Sequence, residues 1–226
     1  MKRIMAAAAA VLMIVGAAWA NDIFFPAKAG MVLTTANLND KGKVQSYSRM
    51  TVKSVEGSGA NMSITYTVES LDSKKKPSDS QPVEITVNVV DGYLELPVNN
   101  LVAAADGGVT VTGNRVRLPS KMAAGDKFED VKMIINMDMG AIQSTTDISI
   151  TDHRCLAVES VTTPVGTFEA YKTTQKVSTV TKMMMTIRAN STVETWHVKG
   201  IGAVKTIVYN DKGKVHTQTE LRELVR

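Results

Sequence analysis

Apolar and polar residues alternate one by one along most of this chain, the two-residue period that sends successive side chains to opposite faces of a β-strand. Met62, Ile64, Tyr66 and Val68 alternate with Ser63, Thr65, Thr67 and Glu69, and Val83, Ile85, Val87 and Val89 with Glu84, Thr86 and Asn88. The pattern returns at Met133, Ile135, Met137 and Met139, and again at Val215, Thr217, Thr219 and Leu221. Strands of this kind bury one face and wet the other, as antiparallel sheets do, and the abundance of Val and Thr suits them.

Turn signals separate the runs: Glu56-Gly57-Ser58-Gly59, Asp91-Gly92, Asp106-Gly107-Gly108, Gly113-Asn114 and Gly125-Asp126. The string NDKGKV occurs twice, from Asn39 to Val44 and from Asn210 to Val215. In each copy Asn and Asp close a turn with their own side chains, while Gly42 or Gly213 accepts the positive φ of a short bulged hairpin loop. This predicts two hairpins, Val32 to Leu38 against Lys43 to Val55 and Ala203 to Tyr209 against Lys214 to Leu221. Flanking residues do not match, so the copies read as one turn solved twice rather than a tandem repeat. The one helical candidate is Val98 to Ala105, after Pro97 and ended by Asp106-Gly107-Gly108. The expected fold is all-β: a single antiparallel, strongly curved sheet of roughly ten to twelve strands, either a partly open barrel or a sandwich, with one short helix.

The first twenty residues depart from this pattern. A basic start (Lys2, Arg3), an apolar run from Ile4 through Val15 and the small residues Ala18 and Ala20 around Trp19 predict a signal peptide over residues 1–20, cleaved before Asn21. The run is short and alanine-rich, and no second run approaches the roughly 20 apolar residues of a spanning helix, so the expected product is exported, soluble and not membrane-spanning. Cys155 lies far from the cleavage site, which removes the cysteine placement of a bacterial lipoprotein. Residues 21–226 carry no Pro, Gly and Ser linker and read as a single β-rich domain. Without Lys2 and Arg3 there remain 24 basic against 22 acidic residues, a balance that argues against a nucleic-acid partner. The run Lys74 to Lys76 reads as a solvated loop tip, and a lone cysteine means that stability rests on packing.

Thirteen methionines are the oddity, three of them consecutive at Met183 to Met185. Thioethers suit Cu(I), but a copper site wants methionines clustered on an exposed loop, usually with histidine. Strand spacing points instead to core filler, or to an adaptable apolar cavity wall. Met133, Met137 and Met139 are therefore the candidate ligand-binding residues, with Trp196 as a reporter beside that wall. His153 and Cys155 share a strand face, and with only His197 and His216 left to complete a metal or thiol site they read as a buried thiol beside a surface histidine. No nucleophile elbow, zincin helix or phosphate-binding glycine loop is present in the sequence, and nothing in it pairs Glu159, Glu169, Glu194 or Glu220. The expectation is a protein with no catalytic residues, metal or cofactor.

Three stretches carry a resemblance: FFPAKAGMVLTTANLNDKGKVQSYSRMTV (Phe24 to Val52), VTTPVGTFEAYKTTQKV (Val161 to Val177) and ETWHVKGIGAVKTIVYNDKGKV (Glu194 to Val215). Together they resemble the TapB family, exported proteins of Bacteroidota grouped with a domain of unknown function. The resemblance implies a periplasmic or outer-envelope β-rich domain with a curved sheet, and no established activity. Its marks read as architecture. Pro164 and Gly166 shape a turn that delivers Phe168 into the core beside Tyr171, Gly200 and Gly202 permit a bulge or close approach in the penultimate strand, and Trp196 stacks on that bared backbone. Two functions fit: a module whose concave face holds an apolar ligand such as a lipid or a lipoprotein acyl chain, or a structural or protein-interaction component of the envelope with a fully packed core.

Overall fold

The computed structural model describes residues 22–96, 108–138 and 143–226. Thirteen antiparallel strands form one sheet. In chain order they are β1 (Val32–Asn39), β2 (Val44–Ser58), β3 (Asn61–Asp72), β4 (Val83–Val90), β5 (Tyr93–Glu95), β6 (Val109–Gly113) and β7 (Arg117–Pro119). The second half adds β8 (Val131–Asp138), β9 (Gln143–Thr163), β10 (Gly166–Lys182), β11 (Thr186–Val198), β12 (Gly202–Asn210) and β13 (Val215–Val225). The all-β expectation holds, and no helix occurs among the described residues; the helical candidate Val98 to Ala105 lies outside them, as does Met139.

Strand order runs β6-β8-β9-β10-β11-β12-β13-β1-β2-β3-β4-β5-β7, which places β6 and β7 at the two edges. Only Asn114, Arg115 and Val116 separate those edge strands in the chain. On a flat sheet the edges would lie roughly 58 Å apart at the usual strand spacing. Four residue steps reach at most about 14 Å. The sheet must therefore curl until its edges come within that reach of each other. At the seam the Asn114 N–H donates to Lys132 O on β8 (3.1 Å), and two residues later Val116 O accepts from Leu96 N beyond β5 (2.9 Å). One run of chain thus stitches both edges, and the architecture is the strongly curved, partly open barrel rather than a sandwich.

The curled sheet surrounds a core to which β2, β3, β4, β9, β10, β11 and β12 all contribute, including Val52, Ile64, Val87, Cys155, Ala170 and Val204. Inside this ring lies the segment before β1. Ile23, Phe24, Phe25 and Ala27 are all buried, with Phe24 only 2% exposed. The Phe24 ring meets Tyr171 of β10 edge-on at 5.0 Å, while the neighbouring Phe25 ring lies 5.3 Å from Tyr66 of β3. Consecutive side chains thus tie together opposite halves of the sheet.

The two NDKGK turns are structurally alike. Asn39 Oδ1 accepts the N–H groups of Lys41 and Lys43, and Asn210 Oδ1 those of Lys212 and Lys214, all within 2.9–3.0 Å. Gly42 and Gly213 take φ of 73° and 69°. Because β1 pairs with β13, the two turns sit side by side at one end of the barrel.

The glycines of the third family stretch are placed differently from the expectation. Gly200 lies in the turn between β11 and β12, with φ 71°, and donates its N–H to Ile23 O at 2.7 Å. Gly202 opens β12 with φ 96°, and a Cβ there would lie 3.4 Å from Phe24 O. The close approach is thus that of the N-terminal segment onto a turn, not of a neighbour onto a strand interior. Gly200→Val is expected to lower stability by about 1–3 kcal/mol, because a β-branched residue is strained at positive φ. A thermal melt matching wild type would refute that account of the turn.

Candidate functional site

Of the expected ligand-binding residues, Met133 and Met137 share one face of β8, and Trp196 lies in a different cluster. Met133 is buried on β8 in a small satellite cluster with Val131 and Ile150, against which Val116, Ile148 and Val177 pack. Met137, half-buried on the same strand, borders an open groove of about 350 Å³ with polar neighbours Asn136, Asp138 and Thr145. Trp196 belongs instead to the main core. Its Nε1 donates to Glu159 Oε1 at 2.7 Å, and the ammonium groups of Lys172 and Lys205 lie 4.8 and 5.3 Å from the ring centroid. Lys172 also pairs with Glu194 at 3.1 Å, which accepts the Tyr209 hydroxyl at 3.2 Å. The indole therefore bridges β9 to β12 between two cations, rather than stacking on glycine-bared backbone. The residue is 7% exposed, which leaves little of the ring for a ligand to reach.

The middle family stretch behaves nearly as its residues imply. Pro164 and Val165 turn the chain between β9 and β10, and Gly166 follows at φ 138°. Phe168 is half-buried at the margin of the core rather than within it, whereas Tyr171 carries the contact to Phe24.

Around Thr173, which pairs with Cys155 on β9 and bonds His197 on β11, the structure gathers residues that are distant in sequence. His153 is 7% exposed and Cys155 1%, so the histidine expected at the surface is buried, its ring 4.6 Å from that of Phe128. Asp152, at φ 55°, marks an irregularity in β9 beside it. His197 on β11 shares a 3.1 Å hydrogen bond between Nε2 and the buried Thr173 Oγ1, under the edge of Phe24. Burial, and secondarily the nearby His153, push the His197 pKa down to about 4; burial lowers that of His153 too. The Cys155 thiol is pushed up, first by burial and then by Asp126, and its Sγ faces Ala157 O at 3.9 Å rather than a base. Two neutral imidazoles and a neutral thiol make no activated nucleophile. Among the described residues no three His, Cys, Asp or Glu side chains converge to hold a metal ion. Glu220 pairs with Arg222 at 2.8 Å.

What sequence reasoning missed lies on the outside. Met183, Met184 and Met185 form the tip of the β10–β11 hairpin and are 51%, 106% and 69% exposed, so these three are neither core filler nor cavity wall. Lys182 pairs with Thr186 across the tip, Val180 with Arg188, and Ile187 beside them is also exposed. The last β11–β12 pair is Ser191 with Asn210, so the hairpin projects roughly 20 Å beyond the second lysine turn. Strand directions put this tip and both NDKGK turns at the same end of the barrel, and a groove of about 700 Å³ runs between the twin turns. The sequence does hold a signal for the tip: no Gly, Asn, Asp or Pro occurs between Lys182 and Arg188, where a hairpin turn would ordinarily place one. The lysine run Lys74 to Lys76 is exposed between β3 and β4, as its composition implies, with Lys75 lying 5.1 Å over the Tyr47 ring and pairing with Glu223.

No helix among the described residues is long and apolar enough to cross a membrane. Among curated proteins, none matches the sequence. Two solved structures share the fold. One, from Bacteroides fragilis and described as an exported protein with a YmcC-like fold, is 20% identical with a TM-score of 0.67, over 90% of this chain and 99% of the other. Another, from Parabacteroides distasonis and described as a lipoprotein, is 21% identical with a TM-score of 0.70, over 90% of this chain and 98% of its own. The DUF3108-like family model matches residues 28–221, nearly the whole of the barrel, and the chain belongs to the DUF3108-like family.

Proposed function

We propose that this chain is a non-enzymatic, exported component of the cell envelope that works through its outer surface, its interior being occupied by its own N-terminal segment. One observation carries the reading: Ile23, Phe24, Phe25 and Ala27 fill the space between β3 and β10–β11 where a carrier would hold an acyl chain. The leader-like first twenty residues and the descriptions of the two similar folds as exported protein and lipoprotein support the compartment. The three family stretches support membership of the TapB group within the wider family.

The competing reading is a module for an apolar ligand such as a lipid or a lipoprotein acyl chain, lying against Met133, Met137 and Met139. Met133, packed against Val131 and Ile150, argues against it. Native mass spectrometry of the protein purified without detergent from an exporting host separates the two. The expected spectrum is the mass of the polypeptide alone. Extra mass that organic extraction removes would overturn the packed-interior reading in favour of a carrier.

A further inference from the structure

We infer that the end of the barrel carrying the Met183–Met185 hairpin is a docking surface for an anionic lipid bilayer. The inference deepens the envelope reading above by naming what the outer surface meets.

The tip presents three thioether side chains and Ile187 to water, with Met184 wholly exposed. Its turn is held by a hydrogen bond from Met183 N to Met185 O at 3.1 Å, so the three methionines are offered by a closed hairpin rather than a loose end. Exposed apolar residues collected at one projecting point mark an interaction site, and methionine adapts its shape to a fluid, irregular surface. Lys182 and Arg188 stand one strand pair and three strand pairs behind the tip, where long basic side chains reach headgroups while the apolar residues sink below them. Lys182 is already paired with Asp147, at 3.4 Å, but is 61% exposed and free to exchange that partner for phosphate.

Behind the tip the twin turns carry the complementary sign, while Asp138 borders the groove that Lys182 also lines. The twin turns add Lys41, Lys43, Lys212 and Lys214 against Asp40 and Asp211, and none of those four lysines forms an ion pair among the described residues. They lie roughly 20 Å behind the tip. That distance is within the Debye length of about 30 Å at 0.01 M salt and far outside the one of about 8 Å at physiological salt. The lysine turns therefore orient the approach in dilute buffer. Lys182 and Arg188 alone act at close range when salt is high.

Co-sedimentation of the protein, purified as exported by a bacterial host, with phosphatidylglycerol vesicles and with phosphatidylcholine vesicles tests this. Binding is expected on the anionic vesicles and weaker on the zwitterionic ones. Met183→Ser, Met184→Ser and Met185→Ser together should reduce anionic binding about tenfold or more while leaving the melting curve unchanged, since these side chains touch no core. Lys182→Glu with Arg188→Glu should reduce it by a similar factor. Equal binding to both lipids, no binding to either, or a triple-serine variant that binds like wild type would overturn the inference. So would a vesicle-free dimer that the triple-serine variant converts to monomer, which would make the tip a contact between copies of this chain. Extractable lipid in the native mass spectrum would sink the packed-interior reading alone, since the vesicle assay reads the hairpin and not the core.

Discussion

Phe24→Ala is expected to destabilise the protein by about 3–5 kcal/mol, the usual cost of emptying a buried phenylalanine site. At roughly 2–4 °C per kcal/mol for a chain of this size, the melting temperature should fall by about 6–20 °C. The expectation follows from position rather than from residue type: Phe24 is 2% exposed, meets Tyr171 and His197, and belongs to a segment held by Gly200 N–H on Ile23 O. Ile187→Ala, at a site 53% exposed, supplies the contrast and should melt within about 0.5 kcal/mol of wild type. A Phe24→Ala protein that melts like the Ile187 variant would mean that the N-terminal segment is a loosely held strap. The packed-interior reading would then lose its main support.

Acid should weaken the fold well before its carboxylates titrate. The His197 pKa is about 4 in the folded protein against 6.5 for an unperturbed imidazole. A group whose folded pKa is depressed binds its proton in the unfolded chain first, so stability is complete above about pH 6.5 and is lost as pH falls toward 4. By pH 5 the loss from His197 alone is about 2 kcal/mol, and the downward shift of His153 acts in the same direction. Asp152 is held low by its hydrogen bond with Lys176 and by Arg154, so its contribution is lost only at lower pH. Denaturant melts at pH 7 and pH 5 measure the difference, and His197→Gln should shrink it. An unchanged pH dependence in that variant would show that the buried imidazole is not its source.

The sheet was legible because its information is local. Alternation in Met62 to Val68 and Val83 to Val89 marks β3 and β4, and the Asn and Gly of the two NDKGK strings dictate their turns whatever surrounds them. Closure was not legible, since nothing in Val109 to Pro119 announces that one short run pairs with β8 on one side and β5 on the other. The placement of the expected site residues was hidden for the same reason. Met133 and Trp196 lie in different clusters, and only tertiary pairing decides that. His153 comes within electrostatic reach of His197 across β10, which lies between β9 and β11, a neighbourhood that 44 residues of sequence conceal. Met183 to Met185 were misread because strand statistics were extended through a turn that lacks the usual turn residues.

The pairing of β1 with β13 bears on how the molecule is born. The first strand of the chain finds one of its two neighbours only in the last, and the register runs from Val32 with Val225 to Asn39 with Thr217. A nascent chain therefore cannot complete the middle of its sheet until almost every residue has been delivered. Contacts this far apart in sequence are slow to form, in the range of milliseconds to seconds for β-rich folds. Such a chain holds β1 with one of its edges unpaired until β13 has been made. Local hairpins such as β2–β3 and β10–β11 can form earlier, but the two halves of the sheet join only when the C-terminal strand arrives.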